Sequence, residues 1–203
     1  MQRTRTRDGS GRIVVVDAAI SCFTERGYHA TTMRDIASGA GITVASIYHY
    51  YASKQEILQD IMTTTMKATI ELTRDAVLDA GSSPADQLSA AMYAWVIFHT
   101  TRQPEALIGA SELRSLEDDG FQTVTSLRHE QEIIFRSVIE RGVRVGDFHT
   151  AHPGEAARAA LAMGANISSW YRADTKLSPE ELADRYCALI LGTVRASDAI
   201  GSA

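Results

Sequence analysis

Cysteine and proline are scarce in this chain, and it has no long apolar run. Only two cysteines, Cys22 and Cys187, occur among 203 residues, far apart and each inside an apolar helical pattern. Such a pair reads as two buried free thiols, not a disulfide framework; a redox-sensing pair is the alternative. The four prolines, Pro84, Pro104, Pro153 and Pro179, stand where helices are expected to begin, never inside one. No apolar stretch approaches the roughly 20 residues needed to span a bilayer. The Arg/Thr-rich start lacks the apolar core of a signal peptide, so a cytoplasmic protein is expected. Strand-like runs and internal repeats are missing too. So are a Gly-rich phosphate loop, a nucleophile motif and paired catalytic carboxylates. No enzyme and no cofactor are expected. His149 and His152 beside Asp147 are too few ligands for a strong metal site, though a small metal-dependent enzyme is the different-class alternative.

What is present is helical periodicity, and the fold class expected is all-α. The net charge is −5, but residues 1–54 carry seven Lys/Arg (Arg3, Arg5, Arg7, Arg12, Arg26, Arg34, Lys54) against four acids. The N-terminal end is therefore basic within an acidic chain, which matters more for an anionic partner than the total does. Residues 1–9 are expected to form a disordered basic arm, able to add nonspecific phosphate attraction. Residues 10–54 are expected to form a three-helix head, and residues 55–203 a helical bundle, giving about nine helices in all. The first helix is expected over Ser10–Arg26, ended by Gly27. Ser53 caps a long fourth helix, with Glu56 completing a capping box. Further helices are expected over about 84–102, 104–117, 121–141, 153–172 and 179–197, with Asp118-Asp119-Gly120 as a turn.

The stretch TTMRDIASGAGITVASIYHYYASK (31–54) carries the most information. Thr31 or Thr32 caps a helix with Met33, Ile36 and Ala37 on its apolar face. Ala40-Gly41-Ile42 turns the chain, and Thr43 caps a second helix over about Val44–Tyr50. That helix is too short to stand alone. Its buried face is Ile42, Ala45 or Ile47, and Tyr51, which leaves a polar, aromatic face outward, as a helix-turn-helix entering a major groove requires.

On these residues the chain resembles the TetR/AcrR-type transcriptional regulators. The resemblance covers about 45 residues, from Ala19 and Phe23 through Gly27-Tyr28, Thr31-Thr32, Asp35-Ile36-Ala37, Ala40-Gly41-Ile42-Thr43 and Ile47-Tyr48-His49-Tyr50-Tyr51 to Ser53-Lys54. Tyr51 stands where such proteins usually carry Phe. Val44-Ala45 stands where many carry Lys, Arg or Gly. The resemblance implies double-stranded DNA as a partner, with Tyr48, His49 and Lys54 on phosphates and Thr32 and Thr43 assisting. Val44, Ser46 and Tyr50 are placed to meet bases. Packing is the competing role for Tyr50, and solvation or pairing near Asp35 for Arg34.

The resemblance also implies a homodimer through the last two helices and a small hydrophobic effector bound among the others. Ala156, Ala160, Gly164 and Ser168 recur every four residues, a small-residue band that lets another backbone approach. Aromatics at helical spacing serve as core or as pocket. Trp95, Phe98, Phe121, Met163 and Trp170 are the candidate lining, with Asn166 as a polar group needing a partner. The segment 164–172 resembles regulators of lipid and steroid-ring catabolism that respond to acyl-coenzyme A thioesters. On that resemblance Arg102, Arg114, Arg128 or Arg172 would face coenzyme phosphates. The expected function is a repressor released from a palindromic operator when effector binds, with helix four carrying the movement. A same-fold regulator of a drug or other free hydrophobe is the alternative.

Overall fold

The computed structural model describes residues 4–172, 174 and 177–195. Among the described residues, ten α-helices and one 3-10 turn account for the ordered elements, and no strand occurs. Helix α1 (Thr4–Arg26) begins earlier than the Ser10 expected from periodicity. No proline interrupts residues 4–10, so the helix extends back from its packed part at Val15 without a steric stop. The expected disordered arm is therefore helical from Thr4, and its residues 1–3 lie outside the described ones.

Helices α2 (Met33–Gly39) and α3 (Val44–Ile47) form the two-helix motif. Thr32 caps α2: its hydroxyl accepts from the Asp35 amide at 3.2 Å, and the Asp35 carboxylate accepts from the Thr32 amide at 2.8 Å. Gly41 takes φ of +66° in the turn, a conformation that favours glycine. Helix α3 is shorter than the expected Val44–Tyr50. After Ile47 the backbone tightens, with His49 N donating to Ser46 O at 3.2 Å and Tyr50 N to Ile47 O at 3.0 Å.

Helix α4 (Lys54–Asp79) is capped by Ser53, whose hydroxyl accepts from Glu56 N at 3.1 Å. The reciprocal half of the expected capping box lands one residue early, on Ala52 N at 2.6 Å. The head and the lower half of α4 share one core, in which Ile36, Ile47, Ile57 and Leu58 are fully buried. Burial of this kind, at about 25 cal/mol per Å² of apolar surface, holds a four-residue helix that would not form alone.

The body comprises α5 (Pro84–Thr101), α6 (Gln103–Ser111), the 3-10 turn Leu113–Ser115, α7 (Asp118–Val145), α8 (Pro153–Ala165), α9 (Ile167–Trp170) and α10 (Pro179–Arg195). The expected turn at 118–120 is instead the first turn of α7. Asp118 and Asp119 sit at the positive end of the helix dipole, and Gly120 is buried where an added Cβ would lie 3.3 Å from Gln59 and Leu116. The expected helix 153–172 breaks at Asn166 into α8 and α9. Counted as one bent helix, they give the nine helices expected. A second core joins α5, α7, α8 and α10. Cys22 and Cys187 are free thiols, as expected. No described helix is long and apolar enough to cross a membrane.

Candidate nucleic-acid interface and effector cavity

The outward surface of the two-helix motif is built by local capping and by the burial of Ile47 and Tyr51 on its opposite side. Val44 is 38% exposed and Tyr48 53%. Thr43, Ala45 and His49 are exposed with them, and Ser46 is half-buried. Ala45 therefore belongs to the outer face, not to the buried one. The Thr43 hydroxyl accepts from Ser46 N at 3.1 Å and lies 2.8 Å from the Ser46 hydroxyl. Thr32, Thr43 and Ser46 thus present hydroxyls already oriented by caps.

Two of the expected DNA residues sit differently. Lys54 folds inward: its Nζ donates to the carbonyls of Tyr28 and Thr31, both at 2.7 Å, and lies 4.2 Å from the Tyr28 ring centroid. Burial lowers its pKa, with Glu112 opposing. It ties the turn before α2 to the start of α4, because the carbonyls after α1 have no helical partner and an ammonium can satisfy two of them at once. Tyr50 is half-buried and its phenol packs against Gly11 of α1, where an added Cβ would overlap the ring. Neither residue stands with Tyr48 and His49. Arg12 and Arg26 are paired with Asp60 and Asp35, both at 3.2 Å. Arg34 is exposed on α2 and makes no ion pair among the described residues, which leaves it free for phosphate.

A cavity of about 400 Å³ lies within the body, bounded by α4, α5, α6, α7 and α8. Met62, Met66, Trp95, Phe98, Val124 and Leu161 supply its apolar wall, and Thr65, Thr69, His99 and Gln131 its polar atoms. Glu105, Arg128, Glu132 and Arg158 line it as charged groups. Arg128 donates to the carbonyl of Gly109, and burial lowers its pKa. The Arg158 Nε lies 3.2 Å from Glu132 Oε1. Trp95 is fixed by its indole N–H, which donates to Leu161 O at 3.1 Å, and by the absence of a side chain at Gly164.

Of the residues expected to line an effector site, Trp95, Phe98 and Arg128 do so. Phe121 is 41% exposed at the start of α7, outside the cavity, and Trp170 is 44% exposed on α9. Met163 packs against the second core. Asn166 is exposed at the α8–α9 break and accepts from the Ser169 hydroxyl, so it needs no ligand. Arg102 pairs with Glu105 at 2.9 Å and lies in a groove between α1 and α4. Arg114 and Arg172 are exposed and line no part of the cavity. The periodicity places aromatics on helices but not the rotation of each helix, so the expected set mixed lining with surface. His99, Gln131 and Arg158 were missed; a buried polar residue one turn after Trp95 was the signal available for His99.

The small-residue band of α8 also faces inward. Ala156, Ala160 and Gly164, with Ser168 on α9, are buried within the subunit, and Gly164 lies against the Trp95 ring. Their role is internal packing. No group of three or more metal-ligating side chains occurs among the described residues.

This arrangement of a capped two-helix head on a long connecting helix, with a hollow helical body, is that of a DNA-binding transcriptional regulator. Residues 15–61 match the bacterial regulatory proteins of the tetR family, and residues 81–194 match the tetracyclin repressor-like C-terminal domain. The chain belongs to the TetR family of transcriptional regulators, which are not enzymes. It is 26% identical over 196 residues to the HTH-type transcriptional repressor KstR2 of Mycolicibacterium smegmatis, covering 96% of this chain and 95% of that one. A crystal structure of a tetR-family regulatory protein from Rhodococcus RHA1 superposes with TM-score 0.85 at 29% identity, covering 93% of this chain and 98% of the other. The fold is also that of AibR in complex with isovaleryl coenzyme A and operator DNA, with TM-score 0.80 at 24% identity over 91% and 98% of the chains.

Proposed function

We propose that this protein is a homodimeric repressor that binds a palindromic operator and is released by an acyl-coenzyme A thioester. The observation that carries the reading is the cavity, because α4 is both its wall and the base of the DNA head. Met62, Thr65, Met66 and Thr69 line it, while the same helix starts at Lys54 beneath the motif. A ligand that fits one inclination of α4 better than another shifts the spacing of the heads by its differential affinity. Thr32, Thr43, Ser46, Val44, Tyr48, His49 and Arg34 form the DNA face, with hydroxyls and Arg34 on phosphates and Val44 and Ser46 toward bases.

The dimer reading rests on outer surfaces. Leu189 of α10 is 55% exposed, Ala188 and Gly192 are exposed beside it, and an added Cβ at Gly192 would meet open space. Ala159 is exposed on α8. Two copies pairing through these faces would form a four-helix interface and set two recognition helices about 34–36 Å apart.

The thioester reading is supported by Arg128 and Arg158 beside an apolar chamber, and by the coenzyme A complex of the structurally similar AibR. Glu105 and Glu132 favour a second reading, an uncharged hydrophobe, because carboxylates at the same cavity repel phosphates. The test is release of a selected palindromic DNA by a panel of acyl-coenzyme A thioesters, each beside its free acid and its uncharged alcohol. Release by thioester alone supports the first reading. Release by uncharged compounds alone replaces it with the second.

A further inference from the structure

Two of the donors on the inner wall of the cavity are taken up by main-chain carbonyls. The Trp95 indole N–H is held by Leu161 O at 3.1 Å, and the Thr69 hydroxyl donates to Thr65 O at 2.8 Å. His99, 5% exposed, lies 2.8 Å through Nδ1 from Trp95 O. A carbonyl can only accept, so Nδ1 carries the hydrogen, and the other ring nitrogen then holds a lone pair in the neutral ring. Burial pushes the imidazole down to about 4, which keeps the ring neutral at physiological pH. Nε2 makes no hydrogen bond among the described residues. The ring is held in place by Trp95 and Phe98, with centroids 4.3 and 5.3 Å away.

Gln131 does not duplicate this. The Thr73 hydroxyl donates to Thr69 O at 2.9 Å, so Gln131 Nε2 donates to Thr73 Oγ1 at 3.0 Å. The amide still holds both an acceptor and a second N–H, and it accepts or donates equally well.

We infer that His99 Nε2 reads a hydrogen-bond donor on the apolar body of the effector, so that the cavity selects a hydroxylated compound over its ketone and over its unsubstituted parent. A ketone oxygen would meet the Nε2 lone pair acceptor to acceptor. A plain hydrocarbon leaves that lone pair unsatisfied. The inference rests on the cavity's being the effector site, and not on the effector's being a thioester.

Two parallel series of probes separate these. The first is decanoyl-coenzyme A with its hydroxy and oxo derivatives at carbon 3, 6 or 9. The second is the free decanols, decanones and decane. Calorimetry on the full chain is expected to give, at one position or more, a hydroxyl compound binding about tenfold or more tighter than the matched ketone. His99→Phe keeps a ring against Trp95 but lacks the acceptor, and should reduce that preference to about twofold or less. His99→Met provides a second variant should the first fail to fold. In the unmodified protein, the His99 Nε2 nitrogen resonance should move with the alcohol and not with the ketone. Selectivity among the free compounds alone would sustain the inference and remove the thioester reading. Equal or tighter ketone binding at every position overturns it. So does a preference that survives both substitutions, or no binding in either series.

Discussion

The hydroxyl of Tyr51 donates to the carboxylate of Asp60, joining the end of the DNA motif to the second turn of α4. Arg12 of α1 reaches the same carboxylate oxygen at 3.2 Å, and its guanidinium stacks 4.4 Å from the Tyr51 ring centroid. Burial opposes ionisation of Asp60, but Tyr51 and Arg12 outweigh it and hold the carboxyl below its ordinary range. Three segments are thus joined at one anion. Tyr51→Phe removes one of its partners and should cost about 1 kcal/mol, read as a lowered denaturant midpoint. It should also weaken the response of DNA binding to effector. An unchanged midpoint and response would show that the joint carries nothing.

Lys54 satisfies two carbonyls, so its removal should act on folding before it acts on DNA. Lys54→Met is expected to lower the melting temperature while leaving the salt dependence of operator binding as it was. A lost phosphate contact in each copy of the dimer would flatten the plot of log K against log salt by about 1.8, at about 0.9 per contact. A flattening of that size would return Lys54 to the DNA backbone.

Gly164 lies against the Trp95 indole, and an added Cβ would fall 2.1 Å from the ring. Gly164→Ala should force Trp95 into the cavity or off its rotamer, at a cost of about 1–3 kcal/mol. Effector affinity should fall with it. Full stability together with unaltered ligand binding would mean that the ring relocates freely.

The proposed dimer is open to a single charge. Leu189→Arg sets a cation on the outer face of α10 without touching the buried Ile190 or Val194. Sedimentation should show monomers, with operator affinity lost and helical content kept. A dimer that persists would place the interface elsewhere.

His99 gives stability a defined pH dependence. Its folded pKa of about 4 lies below the unfolded value of about 6.5. Between these values the unfolded chain binds a proton that the folded chain does not, so stability declines as pH falls through this window. His99→Phe should flatten that decline, as measured by denaturant midpoints at pH 7, 6 and 5. Identical profiles for the two proteins would exclude His99 as the source.

Local chemistry was legible in the sequence because its causes are local. Thr32, Thr43 and Ser53 cap helices through atoms within three residues, and Gly41 marks a turn that favours its freedom. The period of apolar residues sets the helices, and their order with the motif at residues 31–54 sets the family. What only the tertiary structure decided depends on how each helix is rotated and on what lies opposite. Lys54 meets Tyr28 and Thr31 from 26 and 23 residues away. Gly164 of α8 turns inward against Trp95, a partner that no spacing within α8 discloses. Trp95 and Phe98 reach the cavity while Phe121 and Trp170 reach solvent, although all four share the same residue chemistry. His99 acquires its single free acceptor only when Trp95 O and the closed wall of the body stand around it.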